Sequence, residues 1–216
     1  MFTLEKKSIS DQVLLHLRKE IMLKKLEVGF HLKETEISKE LKVSRGPVRE
    51  ALTQLEKENL VEKRMNGRTV VGDFGQRDIE NLYNVRILLE NAALAETDTE
   101  TFIKNLGRFN DYIKAMEDAD EKNEADLAFH ELIIKMPGNK TLEQLWFSLN
   151  GVVLTLMEIT NEYLSVRQEA AIHEHEAIIE NMKQGKVEEA QQALDNHLSS
   201  AAQHFMNAVN EITLGR

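Results

Sequence analysis

The stretch Ser44-Arg45-Gly46-Pro47-Val48-Arg49-Glu50-Ala51-Leu52, followed by Thr53-Gln54-Leu55, constrains this chain most. It begins as a helix does. Ser44 suits an N-cap, because a hydroxyl there can accept from an unpaired N–H of the first turn. Pro47 falls in that turn, where its missing N–H costs little. Val48, Leu52 and Leu55 then recur at helical spacing and can face a core. Arg45, Arg49 and Thr53 recur on another face. Two guanidinium groups near a helix N-terminus, directed away from a core, suit base edges and phosphates in a DNA major groove. A solvated charged face has the same pattern, so the flanking segments have to decide.

Upstream, Val13, Leu14, Leu17, Ile21 and Met22 make an apolar stripe on a helix from Ser10 to about Lys25. Phe30-His31-Leu32 reads as short and extended, and Glu34 to Lys42 as a second helix. The Ser44 helix follows after a short turn and runs to about Asn59, which makes a helix-turn-helix. Downstream, Asn66-Gly67 separates two β-prone runs, a strong hairpin signal because both residues tolerate positive φ. Lys63, Arg64 and Arg68 make its tip basic. Three helices followed by a basic hairpin form a winged helix, with the Ser44 helix in the major groove and the wing near the minor groove or backbone.

The charge divides accordingly. Residues 1–75 hold fifteen Lys+Arg against twelve Asp+Glu, a net of +3; residues 76–216 hold twelve against twenty-five, a net of −13 within an overall −10. Phosphate repels the second part, so nucleic acid should meet the first. The domains read as 1–75 for DNA and 76–216 for something else. No cysteine is present, which excludes disulfides and thiolate metal sites. No run of eighteen apolar residues and no apolar leader in MFTLEKKSISDQ are found, which reads as a cytoplasmic protein without a membrane partner.

Beyond a linker at Gly72–Arg77 every segment reads as helix. Six are expected: Asp78 to Glu96, Thr99 to Ala119, Asn123 to Met136, Lys140 to Tyr163, Ser165 to Gln184 and Lys186 to Thr213. The fold class is therefore mainly α, an N-terminal winged helix-turn-helix domain plus a C-terminal all-α antiparallel six-helix bundle. Asp126 and His130 share one helix face, and His175 and His197 lie mid-helix in the last two helices. Three helices of a bundle can bring these four to one internal point. Imidazole and carboxylate suit Zn²⁺, Ni²⁺, Mn²⁺ or Fe²⁺ and leave positions open for water or an oxyanion. Ordinary surface or core histidines are the alternative, and His16, His31, His173 and His204 read as surface or packing residues. Arg86 lies among Leu82, Ile87, Leu88 and Leu89, where a guanidinium wants a carboxylate; Glu90 could supply it locally.

The N-terminal motif, Glu36-Ile37-Ser38 … Leu41-Lys42-Val43-Ser44-Arg45-Gly46-Pro47-Val48-Arg49-Glu50-Ala51-Leu52 … Leu55 … Asn59-Leu60-Val61, resembles the GntR family of bacterial transcription regulators. The remainder is similar to its FadR-like subfamily, whose C-terminal ligand-binding domain (FCD) is an all-helical bundle. The marks are Arg86-x-x-Leu89-Glu90-x-x-Ala93, Asp126-x-x-Phe129-His130, Gly138-Asn139-x-x-Leu142, Glu174-His175-x-x-Ile178 and His197-Leu198. Six helices rather than seven resemble the VanR-like branch. The resemblance implies a homodimer on a palindromic DNA operator, controlled by a small carboxylate effector. It implies operator contacts from Ser44, Arg45, Arg49, Arg64, Asn66, Gly67 and Arg68. It implies Asp126, His130, His175 and His197 as ligands of a divalent metal, Zn²⁺ or Ni²⁺ foremost, and Arg86 as the holder of the effector carboxylate. The chain departs from the family at Asn59, where Gly is usual, and at Thr35, where an arginine is frequent. Two other readings are a metal-dependent enzyme acting on a small carboxylic acid and a DNA-binding protein with a purely structural metal site.

Overall fold

The computed structural model describes residues 8–118, 120–163 and 167–215. The chain divides into two compact units, one taking the chain up to Arg77 together with the segment from Val209, the other Asp78–Ala208.

The first unit contains α1 (Ile9–Met22), α2 (Glu34–Glu40), α3 (Arg45–Lys57), β1 (Val61–Lys63) and β2 (Thr69–Val71). Of the apolar positions the periodicity selects, Val13, Leu17, Ile21 and Met22 of α1 and Val48, Leu52 and Leu55 of α3 are buried and Leu14 is half-buried; Ala51 is buried as well. α1 starts two residues earlier than expected. Ser8, not Ser10, is its cap, because Asp11 completes a capping box: the Ser8 hydroxyl accepts from the Asp11 N–H and the Asp11 carboxylate accepts from the Ser8 N–H. Ser44 does occupy the N-cap of α3 in an extended conformation, but its side chain makes no capping bond. The buried Arg18 fork donates to Glu58 at 2.7 and 2.6 Å and ties α1 to the end of α3.

All three helices of this unit stop in the same way. The residue after the cap adopts the left-handed conformation: Lys24 at φ 53°, Lys42 at 54° and Asn59 at 57°. In each case the next N–H reaches back five residues, as in Leu60 N–H to Leu55 O at 3.0 Å, a Schellman termination. Asn59 thus performs the conformation for which glycine is usual.

β1 and β2 pair antiparallel in the register Val61–Val71, Glu62–Val70, Lys63–Thr69. The connection is a three-residue loop rather than the expected two-residue turn. Arg64 N–H donates to Arg68 O, Gly67 N–H donates to Arg64 O, and Gly67 alone takes positive φ. Asn66 instead uses its side-chain oxygen to accept from Arg68 N–H at 3.1 Å. The extended segment around His31 adds an edge to β2, with His31 opposite Val70 and Leu32 N–H donating to Thr69 O. The Gly72–Arg77 linker is not loose: Phe74 is buried, and a Cβ on Gly72 would meet the Asn59 carbonyl at 3.0 Å.

Seven helices follow among the described residues: α4 (Gln76–Glu96), α5 (Thr99–Ala115), α6 (Lys122–Lys135), α7 (Lys140–Phe147), α8 (Asn150–Tyr163), α9 (Gln168–Lys183) and α10 (Val187–Leu214). The single helix expected over 140–163 is two. At the break the Ser148 hydroxyl donates to the Leu145 carbonyl, Leu149 N–H donates to Trp146 O in a tighter i→i−3 bond, and the weak helix formers Asn150-Gly151 come next. The bundle therefore has seven helices instead of six, and the helix count no longer favours the VanR-like branch. The expected helix end at Ala119 and helix start at Ser165 lie outside the described residues. The expected core positions of α4 are Ile79, Leu82, Ile87, Leu89 and Ala93; its buried stripe instead runs through Ile79, Tyr83, Arg86, Glu90, Ala93 and Leu94, so the core face is rotated toward polar residues and away from Leu82, Ile87 and Leu89. Phe102, Phe109 and Phe129 stack in sequence and lead to His130 and His175.

Candidate functional site

In the first unit, α3 places Arg45 and Arg49 one turn apart with side chains 59 and 64% exposed. Both arginines meet Glu34, the first residue of α2. Arg45 Nη2 donates to Glu34 Oε2 at 3.1 Å; Arg49 donates through Nε at 3.1 Å and Nη2 at 3.0 Å. The hydrogen bond from Arg49 holds the Glu34 carboxyl below the usual carboxylate range. A cleft of about 580 Å³ opens beside them and includes Thr35, Lys63, Gly67 and Thr69, so the start of α3 and the wing share one concave surface. Ser44, Arg64, Asn66 and Arg68 lie outside its lining, and Arg64 pairs with Glu62 at 3.2 Å.

In the second unit, Asp126 and His130 of α6, His175 of α9 and His197 of α10 converge, with all four ligand atoms within 4.8 Å of one another. The three imidazoles are buried. Each donates Nδ1–H outward: His130 to Glu90 Oε2 at 2.6 Å, His175 to the Ala171 carbonyl at 2.8 Å, His197 to Glu174 Oε2 at 2.8 Å. Those partners only accept, so the proton sits on Nδ1 and each Nε2 presents a lone pair inward. The inward nitrogens lie 3.2 Å apart, His130 to His197 and His130 to His175, and Asp126 Oδ1 lies 3.4 Å from His175 Nε2. Facing lone pairs repel unless a cation sits between them. A metal–ligand bond of ~2.1 Å puts neighbouring ligand atoms about 3.0 Å apart at right angles and about 3.4 Å apart at tetrahedral angles. The spacing and chemistry of this donor set therefore fit a divalent ion. Burial, and then the neighbouring imidazoles, push His175 well below its ordinary pKa, and burial also lowers His197, which keeps both in the neutral form a metal requires.

Arg86 is 2% exposed and does form the local pair with Glu90. Its Nε donates to Glu90 Oε1 at 3.1 Å, and the same oxygen accepts from Trp146 Nε1 at 2.8 Å. Burial works against the charge on Glu90, but His130 and Arg86 outweigh it and hold its pKa down at about 2. The Tyr83 ring lies 5.2 Å from the guanidinium carbon, with its hydroxyl pushed up by burial. Arg86 Nη2 lies 3.0 Å from the same Glu90 oxygen but makes no aligned hydrogen bond. Arg86 lines a cavity of about 90 Å³ that also takes in Asp126 and His197 from the cluster, together with the polar Lys122, Asn123, Asn161 and Gln168 and the apolar Met116, Met157 and Ile172.

Reasoning from sequence missed part of this site. Glu90 was visible only as a neighbour of Arg86, not as the acceptor for His130; their i, i+4 spacing was the available signal. Glu174 was visible only as the neighbour of His175 in a family mark, not as the acceptor for His197 or the partner of Arg167, and the cavity residues Tyr83 and Asn161, which come from different helices, had no local signal. His204 packs its ring against Phe205, as a packing residue does, and also lines the cavity. His173 is exposed and pairs with Glu176.

Residues 9–71 match the profile of bacterial regulatory proteins of the gntR family, and residues 81–200 match that of the FCD domain. The chain belongs to the GntR family, in the subfamily that carries an FCD domain. The chain is similar to the gluconate operon transcriptional repressor of Bacillus subtilis, 35% identical over 69% of this chain and 64% of that protein, so the match spans just under two thirds of that relative. It is similar to the galactonate operon transcriptional repressor of Escherichia coli, 25% identical over 91% of this chain and 96% of that one. Among solved structures, a GntR-family regulator from Pseudomonas syringae is similar at 26% identity and TM-score 0.57, covering 98% of this chain and 91% of that one. The protein is a DNA-binding transcription regulator and not an enzyme, which removes the metalloenzyme reading. No helix among the described residues is long and apolar enough to cross a membrane.

Proposed function

We propose that this regulator binds a palindromic operator as a homodimer in the cytoplasm, under control of a small carboxylate held at a divalent metal centre. Residues 1–75 would meet DNA and 76–216 would sense the effector. Ser44, Arg45 and Arg49 would enter the major groove while Arg64, Asn66, Gly67 and Arg68 approach the minor groove or backbone. Asp126, His130, His175 and His197 would hold the metal, Zn²⁺ or Ni²⁺ foremost, and it would supply a Lewis-acidic position for an anionic oxygen.

The observation that carries the effector reading is Arg86, whose buried Nη2 is ion-paired with Glu90 Oε1 at 3.0 Å but makes no aligned hydrogen bond, on the wall of the cavity shared with Asp126 and His197. A buried unsatisfied guanidinium donor is costly, and a carboxylate oxygen satisfies it. Asn161 donates to Asn123 and Gln168 donates to the Met116 and Glu117 carbonyls, so the Asn123 amide nitrogen and the Asn161 and Gln168 amide oxygens are the groups that suit hydroxyls, and two relatives are repressors of gluconate and galactonate operons. A sugar acid is therefore the effector class to try first. Val85 and Leu88, exposed on α4, are an apolar strip that a second copy would cover.

Calorimetric titration of zinc- or nickel-reconstituted protein with gluconate, galactonate and citrate tests this. Binding of at least one acid that disappears in Arg86→Met, with metal content unchanged, is expected. Equal binding by Arg86→Met would sink the assignment. Metal uptake by His130→Ala and His175→Ala at the wild-type level would sink the ligand set.

A further inference from the structure

The two arginines at the start of α3 are already engaged. Glu34 Oε2 accepts from both, and Oε1 completes a two-pronged bond with Arg49, so one carboxylate holds two guanidinium groups on the exposed face of α3. We propose that Glu34 is a positioning and discriminating residue for DNA reading: it presets Arg45 and Arg49 for base contacts and suppresses binding to duplexes of the wrong sequence. The inference rests on the assignment of these arginines to the DNA interface.

Two physical effects lead to it. The first is pre-organisation. Two long, exposed side chains lose their rotamer freedom to Glu34 before DNA arrives, so less is lost on docking. Arg49 spends its Nε–Nη2 edge on Glu34, and its outer Nη1 remains for a phosphate. Arg45 spends only one N–H, which leaves most of its donors for a guanine edge. The second effect is charge. Non-specific affinity comes from cations neutralising phosphates, and a carboxylate beside the two arginines cancels one of their two charges. It also repels a phosphate that enters the cleft without supplying hydrogen-bond acceptors to the arginines. A correct base edge supplies those acceptors; an arbitrary backbone contact does not. Glu34 thus penalises the wrong complex more than the right one.

Glu36 provides the control. It lies on the same helix and carries the same charge, but it pairs with Lys33 at 2.6 Å and with neither arginine. Full-length Glu34→Gln, Glu36→Gln and Arg49→Ala proteins should be titrated with two duplexes across a salt series. One duplex is enriched by the wild-type protein from a random-sequence library, and the other is its scrambled counterpart. Glu34→Gln should bind the scrambled duplex several-fold more tightly, steepen the log–log salt slope by about one, and lower the selected-to-scrambled ratio roughly tenfold. Glu36→Gln should keep the wild-type ratio. Wild-type ratio and slope in Glu34→Gln would overturn the proposal, as would equal weakening on both duplexes or an equal effect of Glu36→Gln. Arg49→Ala separates the two assignments: if it binds the selected duplex as wild type does, the DNA interface itself is misassigned. If it fails to bind while Glu34→Gln behaves as wild type, only the role of Glu34 falls.

Discussion

Two of the protein's arginine–glutamate pairings, one at Glu34 and one at Glu90, differ in nearly every physical respect. Glu34 holds Arg45 and Arg49 in the open, on side chains 59 and 64% exposed. Glu90 holds Arg86 where neither side chain is more than 2% exposed, and it also accepts from His130 and Trp146. An exposed pair contributes little to stability and exchanges partners readily, because water and salt screen both states. A buried pair cannot be broken without leaving a charge uncompensated. The first arrangement suits a reader that meets many duplexes and must release most of them. The second suits a cavity whose donors have to be aimed before one small anion arrives.

The largest expected effect tests the buried pair. Glu90→Ala should lower stability by about 3–5 kcal/mol, because it strands the Arg86 charge and removes the acceptor for His130 and Trp146. Urea denaturation measures this. Glu34→Gln should shift the same midpoint by less than about 1 kcal/mol. Equal effects would erase the contrast between the two sites. Metal removal is next. A chelator should lower the melting temperature, and zinc or nickel at about 100 times its Kd should restore ~2.7 kcal/mol. His175→Ala should melt at the same temperature with and without chelator. Arg45→Ala follows, with a loss of about 1–3 kcal/mol in discrimination at one base position and an unchanged melting temperature. A variant that melts early instead would mean that Arg45 supports the fold rather than the reading.

Much of this was legible in the sequence because the relevant signals were local or spanned recognisable motifs. Val48, Leu52 and Leu55 lie at helical spacing and are buried as that spacing requires. The convergence of Asp126, His130, His175 and His197 followed from the family resemblance more than from spacing, which by itself favoured ordinary surface or core histidines. What escaped is what depends on rotation and on partners far away in sequence. The α4 core face turned from Leu82 and Leu89 to Tyr83, Arg86 and Glu90, because the last two satisfy each other and a histidine from another helix. An apolar count cannot see that compensation. The break at Ser148 escaped for a similar reason: Trp146, Leu149 and Val153 keep an apolar rhythm through a point where the backbone bonds tighten and the helix ends.

The helix ends offer the smallest effect and a separate way to distinguish the two regions. Among the described residues, α9 of the second unit ends on Gly185 at φ 69°, a conformation glycine adopts without strain. The three helices of the first unit place Lys24, Lys42 and Asn59 in that same conformation. A side chain there brings Cβ close to a backbone oxygen, at roughly 1–2 kcal/mol for an ordinary residue and less for asparagine. Glycine at the same position gives back part of that gain through its freer unfolded chain. Lys42→Gly should therefore stabilise the protein by about 0.5–1 kcal/mol, and Asn59→Gly by less. Lys42 lies in the turn between α2 and α3, so the same variant asks whether strain there serves DNA reading. If Lys42→Gly raises the melting temperature and leaves operator affinity unchanged, the lysine is a tolerated imperfection of the fold. If stability rises while discrimination falls, the strained turn helps set the angle at which Glu34 meets Arg45 and Arg49.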